Sequence, residues 1–161
     1  MFYKMRRFKQ ELSDEECIKI LNEEKRGVLS LIDDDYPYGL PLSYLYKDGH
    51  IYFHGAIIGH KFDCIKKNNK VSFCVIDKGS NTNGDWVLHF NSVICFGAIE
   101  IINDKEKCLN ICRELALKFT NDQNYIDDEL KNGIDRVTCL DLKIDHLTGK
   151  RVKESWRKML S

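Results

Sequence analysis

Asp48-Gly49 is the strongest short-range hairpin signal in the chain, set between an apolar run at residues 40–46 and the alternating Ile51-Tyr52-Phe53-His54. The same grammar repeats around it. Gly27 precedes the β-rich Val28-Leu29-Ser30-Leu31-Ile32, and the acidic Asp33-Asp34-Asp35, with Pro37 and Gly39, reverses the chain into residues 40–46. Residues 71–76 form a further strand. Residues 86–102, opening at Trp86, read as one long strand interrupted at Gly97, where a bend or bulge is expected, and residues 136–144 as the last strand. Successive hairpins in one small domain predict a mainly β fold, an antiparallel sheet closing into a barrel with helices packed outside it.

The helices announce themselves separately. Ser13 and Glu16 have the form of a capping box ahead of Cys17, Ile18, Ile20 and Leu21, predicting a helix over 14–25. Phe62, Ile65 and Lys66-Lys67 suggest a two-turn helix ending at Asn68-Asn69. Asp104 precedes residues 105–119, where Cys108, Ile111, Cys112, Leu115 and Phe119 keep the 3.6 period, and a short helical piece at 125–131 leads to Gly133. No repeat or linker divides the 161 residues, so 1–161 is expected to be a single domain with a basic tail carrying Trp156.

Composition removes several function classes. Twenty-five basic residues balance 25 acidic ones, and the cluster Lys4, Arg6, Arg7 and Lys9 reads as a solvated tail, so no nucleic-acid partner is expected. No apolar run approaches the roughly 18 residues a membrane span needs, and the N-terminus lacks a signal-peptide pattern, which predicts a cytoplasmic protein. Seven cysteines, an odd number and several in apolar runs, read as reduced structural thiols. No metal site is expected: His54, His60 and Cys64 can be drawn as a set, but they come from a strand end, a loop and a helix and lack an acidic fourth ligand.

Three segments could carry chemistry. In the run from His54 through Gly55-Ala56-Ile57-Ile58-Gly59-His60 to Lys61, two glycines admit a close ligand, a helix start favours an anion and Lys61 adds a charge suited to phosphate. An ordinary strand-to-helix turn is the competing reading. Pro41 should sit on a sheet edge, leaving the backbone around Pro41-Leu42-Ser43 available to a planar heterocycle. Ser92, followed by Val93, could offer a hydroxyl to phosphate, although strand serines mostly face solvent. There is no nucleophile elbow and no nicotinamide fingerprint.

Taken in order, Met5-Arg6-Arg7, Gly27-Val28-Leu29-Ser30-Leu31, Pro37-Tyr38, Pro41-Leu42, Ile51-Tyr52-Phe53-His54, Gly59-His60-Lys61, Ser92-Val93, Phe96-Gly97 and Leu147-Thr148-Gly149-Lys150 resemble the pyridoxamine 5'-phosphate oxidase-like FMN-binding split barrels. The likeness spans nearly the whole chain and is nearest to the 5-nitroimidazole antibiotic resistance branch. It implies a split β-barrel homodimer with FMN at the subunit interface. It also implies that Pro41, Leu42 and Ser43 line the isoalloxazine, that His54, Gly55 and Ala56 approach the ring and ribityl chain, and that Gly59, His60 and Lys61 with Ser92 and Val93 hold the phosphate end. Ser43 stands where the branch often has Asn, and Cys95 where it often has a small residue. The function expected from the resemblance is an FMN-dependent oxidoreductase, with reduction of nitroaromatic compounds as the candidate reaction, NADH or NADPH as the candidate donor, a small-molecule acceptor and His54 as proton donor. The alternative is a flavin- or haem-binding carrier or sensor without turnover.

Overall fold

The apolar runs become seven strands in the computed structural model, which describes residues 2–81 and 88–152. They are β1 (Arg26–Ile32), β2 (Pro37–Ser43), β3 (Leu45–Lys47), β4 (His50–Ala56), β5 (Lys70–Ile76), β6 (Phe90–Ile102) and β7 (Val137–Val152). All pairings among them are antiparallel, in the order β2-β1-β5-β6-β7-β4-β3. Asp48 and Gly49 both adopt positive φ, 50° and 81°, the backbone of a two-residue hairpin turn joining Lys47 to His50.

Residues 40–46, expected as one strand, divide at Tyr44. Ser43 pairs with Arg26 on β1, whereas Leu45 pairs with Tyr52 on β4. Strands β2 and β3 are thus consecutive in the chain yet occupy opposite edges of the sheet. Six inter-strand steps of about 4.8 Å would separate those edges by about 29 Å in a flat sheet, far beyond the reach of one residue. The sheet must curl until its edges meet, and Tyr44 is the joint. A change of hydrogen-bonding partner leaves the alternation of a strand intact, so the apolar pattern of residues 40–46 could not reveal it.

The last strand is longer than expected. Instead of ending at Ile144 it continues to Val152, and residues 146–152 pair with the first half of β6. The registers before and after differ by one residue because Phe96 pairs with His146 and Gly97 with Ile144, leaving Asp145 unmatched. This is the irregularity anticipated at Gly97, with the extra residue on the partner strand. A Cβ on Gly97 would stand 1.9 Å from the Lys143 carbonyl oxygen, so the two backbones approach as they do only because the side chain is missing. The expected strand start at Trp86 and the tail with Trp156 lie outside the described residues.

The inward faces of the strands form one core, in which Phe73 meets Tyr44 and Phe53 edge-on at centroid separations of 4.9 and 5.0 Å. Helix α1 (Asp14–Glu23) carries both bonds of the Ser13/Glu16 capping box and buries Cys17, Ile20 and Leu21. Helices α2 (His60–Lys67), α3 (Lys105–Leu117) and α4 (Gln123–Gly133) follow near their expected places, with α1 and α3 each two residues shorter. All seven cysteines are free and five are buried. No helix among the described residues is long and apolar enough to cross a membrane.

Lys118, just past α3, tightens the joint. Its Nζ donates to the carbonyls of Glu24 at 2.7 Å and Tyr44 at 3.2 Å and lies 4.3 Å from the Tyr44 ring centroid. Burial pulls the Lys118 pKa down. The Tyr44 hydroxyl is itself buried without a hydrogen-bond partner among the described residues. Tyr44→Phe should therefore leave stability unchanged or raise it, whereas Tyr44→Ala should cost about 3–5 kcal/mol by opening a cavity at the joint. Urea unfolding of the two variants measures both effects, and a Phe variant as damaged as the Ala variant would show that the hydroxyl is bonded.

Candidate functional site

Strand β4 and helix α2 build one corner of the site. His54 pairs with Cys139 on β7, and Gly55 and Ala56 complete β4. The exposed Ile57 and Ile58 then lead to Gly59, which precedes α2 with φ 143° and makes no side-chain capping bond. Lys61 folds back over β4, so a Cβ built on Gly55 would lie 2.9 Å from its Nζ. The bare backbone of Gly55 and the ammonium of Lys61 form a cradle at a helix N-terminus, an arrangement suited to an anion.

His54 precedes Gly55 on β4, and alternation turns its side chain to the opposite face of the strand, toward α3 and α4. Loss of solvation, and secondarily the Lys61 charge, lowers its pKa below the ordinary histidine value. The imidazole edges a cavity of about 430 Å³ that also takes in Ser43. Its far wall is apolar, with Leu115 and Phe119 from the α3 end and Ile126 and Leu130 from α4. Ser43 reaches this cavity because Tyr44 joins the two sheet edges, so residues 43 and 54, on strands that share no ladder, face one space. The wall from α3 and α4 escaped the sequence reading. Its 3.6 periodicity marked an inner face without saying what that face meets.

The other expected residues are placed differently. Pro41 lies exposed on β2 opposite Val28, on an edge strand as its missing N–H requires, and Leu42 is half-buried opposite Gly27. Ser92 pairs with Ile76 and Lys150, ten residues along β6 from Ile102, which is level with Cys139 and hence with His54. Through β5 and β1, Ser92 is in register with Ile76, Arg26 and Ser43, so closure of the sheet leaves it three strands from the cavity edge at Ser43. The Val93 side chain is wholly buried, and Cys95 likewise, because alternation turns both into the core.

His60 also departs from expectation. Its Nε2 lies 2.8 Å from Asp33 Oδ2 and 3.6 Å from Cys64 Sγ, so its ring is engaged by the β1–β2 turn instead of joining Lys61. The Asp33 carboxyl is held below its usual pKa, first by the Asp34 backbone N–H and then by His60. His54 is not part of this group.

The family model for pyridoxamine 5'-phosphate oxidase matches residues 13–151. The chain belongs to that family. Similar solved structures include a candidate 5-nitroimidazole antibiotic resistance protein from Bacteroides thetaiotaomicron, 19% identical, with a TM-score of 0.72 over 89% of this chain and 90% of the other. An FAD-binding protein from Mesorhizobium loti is 22% identical, with a TM-score of 0.65 over 89% and 98% of the two chains. A flavocytochrome from Azotobacter vinelandii is 15% identical, with a TM-score of 0.76 over 98% and 78%. No curated protein matches. The fold is the split barrel of the pyridoxamine 5'-phosphate oxidase family, as the resemblance implied.

The lowered pKa of His54 carries a stability signature. Below about pH 6.5 the unfolded chain takes up the His54 proton before the folded protein does, so this residue destabilises the fold progressively as pH falls until the folded-state imidazole also protonates. Above that pH both states are neutral and the contribution vanishes. Urea unfolding at pH 7.5 and 5.5 should show a smaller acid loss for His54→Gln than for the parent. Equal losses would mean that the folded environment leaves the imidazole unperturbed.

Proposed function

We propose that this member of the pyridoxamine 5'-phosphate oxidase family binds FMN and transfers electrons to a small acceptor, a nitroaromatic compound being the class to test first. The observation that carries the reading is the Lys61 ammonium lying over the bare backbone of Gly55 at the start of α2, next along β4 to His54, which with Ser43 edges a separate cavity. The residues fit such a ligand. Lys61 and the first amides of α2 suit the phosphate, the bare backbone of Gly55 allows a close approach, and the apolar wall from α3 and α4 suits a flat ring. The likeness to proteins described as flavin-binding agrees with this reading. FMN, when bound, supplies the redox chemistry, with NADH or NADPH as the proposed donor.

The chain's own residues have narrower tasks. Lys61 anchors, Ser43 offers a hydroxyl at the cavity edge, the α3 and α4 wall excludes water and His54 holds a proton at its ring nitrogen. Ser92 stands on β6, a strand that does not pair with β4, and its expected contact with the cofactor is assigned to the site of a second copy. Val28 and Ile32 on β1 and Ile76 on β5 present exposed apolar side chains on neighbouring strands, which supports a homodimer. The alternative, a flavin or haem carrier, is favoured by the flavocytochrome likeness. A Soret band in the purified protein would select it.

Lys61→Ala should weaken FMN binding by about 1.5–3 kcal/mol, the worth of one charge-assisted contact, or roughly tenfold to a hundredfold in Kd. Its urea midpoint should not move. Flavin fluorescence titration reads the affinity, and an unchanged Kd in a folded variant removes Lys61 from the site.

His54→Ala should retain FMN and lose about a hundredfold in acceptor reduction. Because the His54 pKa is depressed, the protonated fraction grows as pH falls from 7 toward 5.5, and the parental rate should rise with it. Steady-state assays across that range decide the point: a variant with the parental rate and the parental pH slope rejects His54 as the proton source.

A further inference from the structure

Asp33, His60 and Cys64 come from two elements and converge on one point. His60 and Cys64 stand four residues apart on α2 and so share a face, and the β1–β2 turn sets Asp33 against it. The three donor atoms all lie within 4.8 Å of one another. A single nitrogen, His60 Nε2, faces both Asp33 Oδ2 at 2.8 Å and Cys64 Sγ at 3.6 Å. That nitrogen carries at most one hydrogen, so it cannot donate fully to both neighbours. An oxygen, a nitrogen and a sulfur gathered around one point form a donor set for a cation.

The spacing suits zinc. With Zn–S near 2.3 Å and Zn–N and Zn–O near 2.0 Å, tetrahedral ligand atoms stand about 3.3–3.5 Å apart. The His60–Cys64 separation already meets this, and the Asp33–His60 separation would open by about half an ångström, a movement open to a side chain at the end of a strand. Thiolate and imidazole favour zinc over magnesium or calcium. Cys64 is buried, Asp33 half-buried and His60 exposed, so the group opens on one side to solvent. The Tyr38 ring, 5.0 Å from the His60 ring, covers another flank. Lys67 pairs with Asp34, leaving the Asp33 carboxylate to this group.

We propose that Asp33, His60 and Cys64 bind one zinc ion per chain, with water or an exogenous ligand in the fourth position. The acidic ligand missing from the sequence reading is Asp33, 27 residues before His60, and His54 drops out of the set. The ion would tie the β1–β2 turn to α2, the helix that carries Lys61. The proposal does not depend on flavin binding and is tested on flavin-free protein.

Titration with Co²⁺ should saturate at one equivalent per chain and produce a thiolate-to-cobalt charge-transfer band that Zn²⁺ displaces. Cys64→Ser should abolish the band, and Asp33→Asn should weaken Zn²⁺ binding by about tenfold or more. Folded parent protein that takes up neither metal in equilibrium dialysis overturns the proposal. A band that survives in Cys64→Ser does so equally, since it places the metal on another cysteine. Should circular dichroism show Cys64→Ser to be unfolded, Asp33→Asn and His60→Ala carry the test, and parental Zn²⁺ affinity in either one overturns it.

Discussion

The fold depends on the closure made at Tyr44. Because β2 and β3 adjoin in sequence but border opposite edges of the sheet, every other strand must lie on a curved surface whose ends this residue joins. Its ring fills the space that curvature creates, set edge-on to Phe73, which in turn meets Phe53. Burying three aromatic rings at the seam makes closure favourable in free energy. Lys118 adds a charged donor to the carbonyls of Glu24 and Tyr44, fastening the end of α3 to the same joint.

The site is a consequence of that closure. Ser43 and His54 share no ladder and meet only because the edge strands curl round, and α3 forms the cavity's outer wall because its end is held at Tyr44. The close passage of β6 and β7 at Gly97 has the opposite effect on Ser92. It allows both strands to run on for their full lengths, which carries Ser92 to the end of β6 remote from Ile102. Of the residues expected to hold a phosphate, Lys61 stands over Gly55, His60 meets Asp33 and Ser92 lies elsewhere on the barrel.

Helix α2 shows how neighbours in sequence are sent to different chemistry. Consecutive residues point about 100° apart around a helix axis, so His60 and Lys61 cannot face the same ligand squarely. His60 shares its face with Cys64 and meets the acidic turn at Asp33, while Lys61 turns back over Gly55. An anion cradle and a mixed oxygen, nitrogen and sulfur cluster thus stand on adjacent faces of one short helix.

What could be read from residue order alone was local. The Asp48-Gly49 hairpin, the Ser13/Glu16 cap, the 3.6 period of α3 and the break at Gly97 each depend on backbone preferences within a few residues, and each stands where it was expected. The motif set likewise identified the family, and it singled out Gly55 and Lys61, which lie against each other in the fold. Partner exchange at Tyr44, the continuation of β7 past Ile144, the burial of Val93 and the capture of His60 by Asp33 were decided by tertiary structure. These depend on which strand edge or helix face meets which, and alternation or periodicity marks a buried face without naming its neighbour.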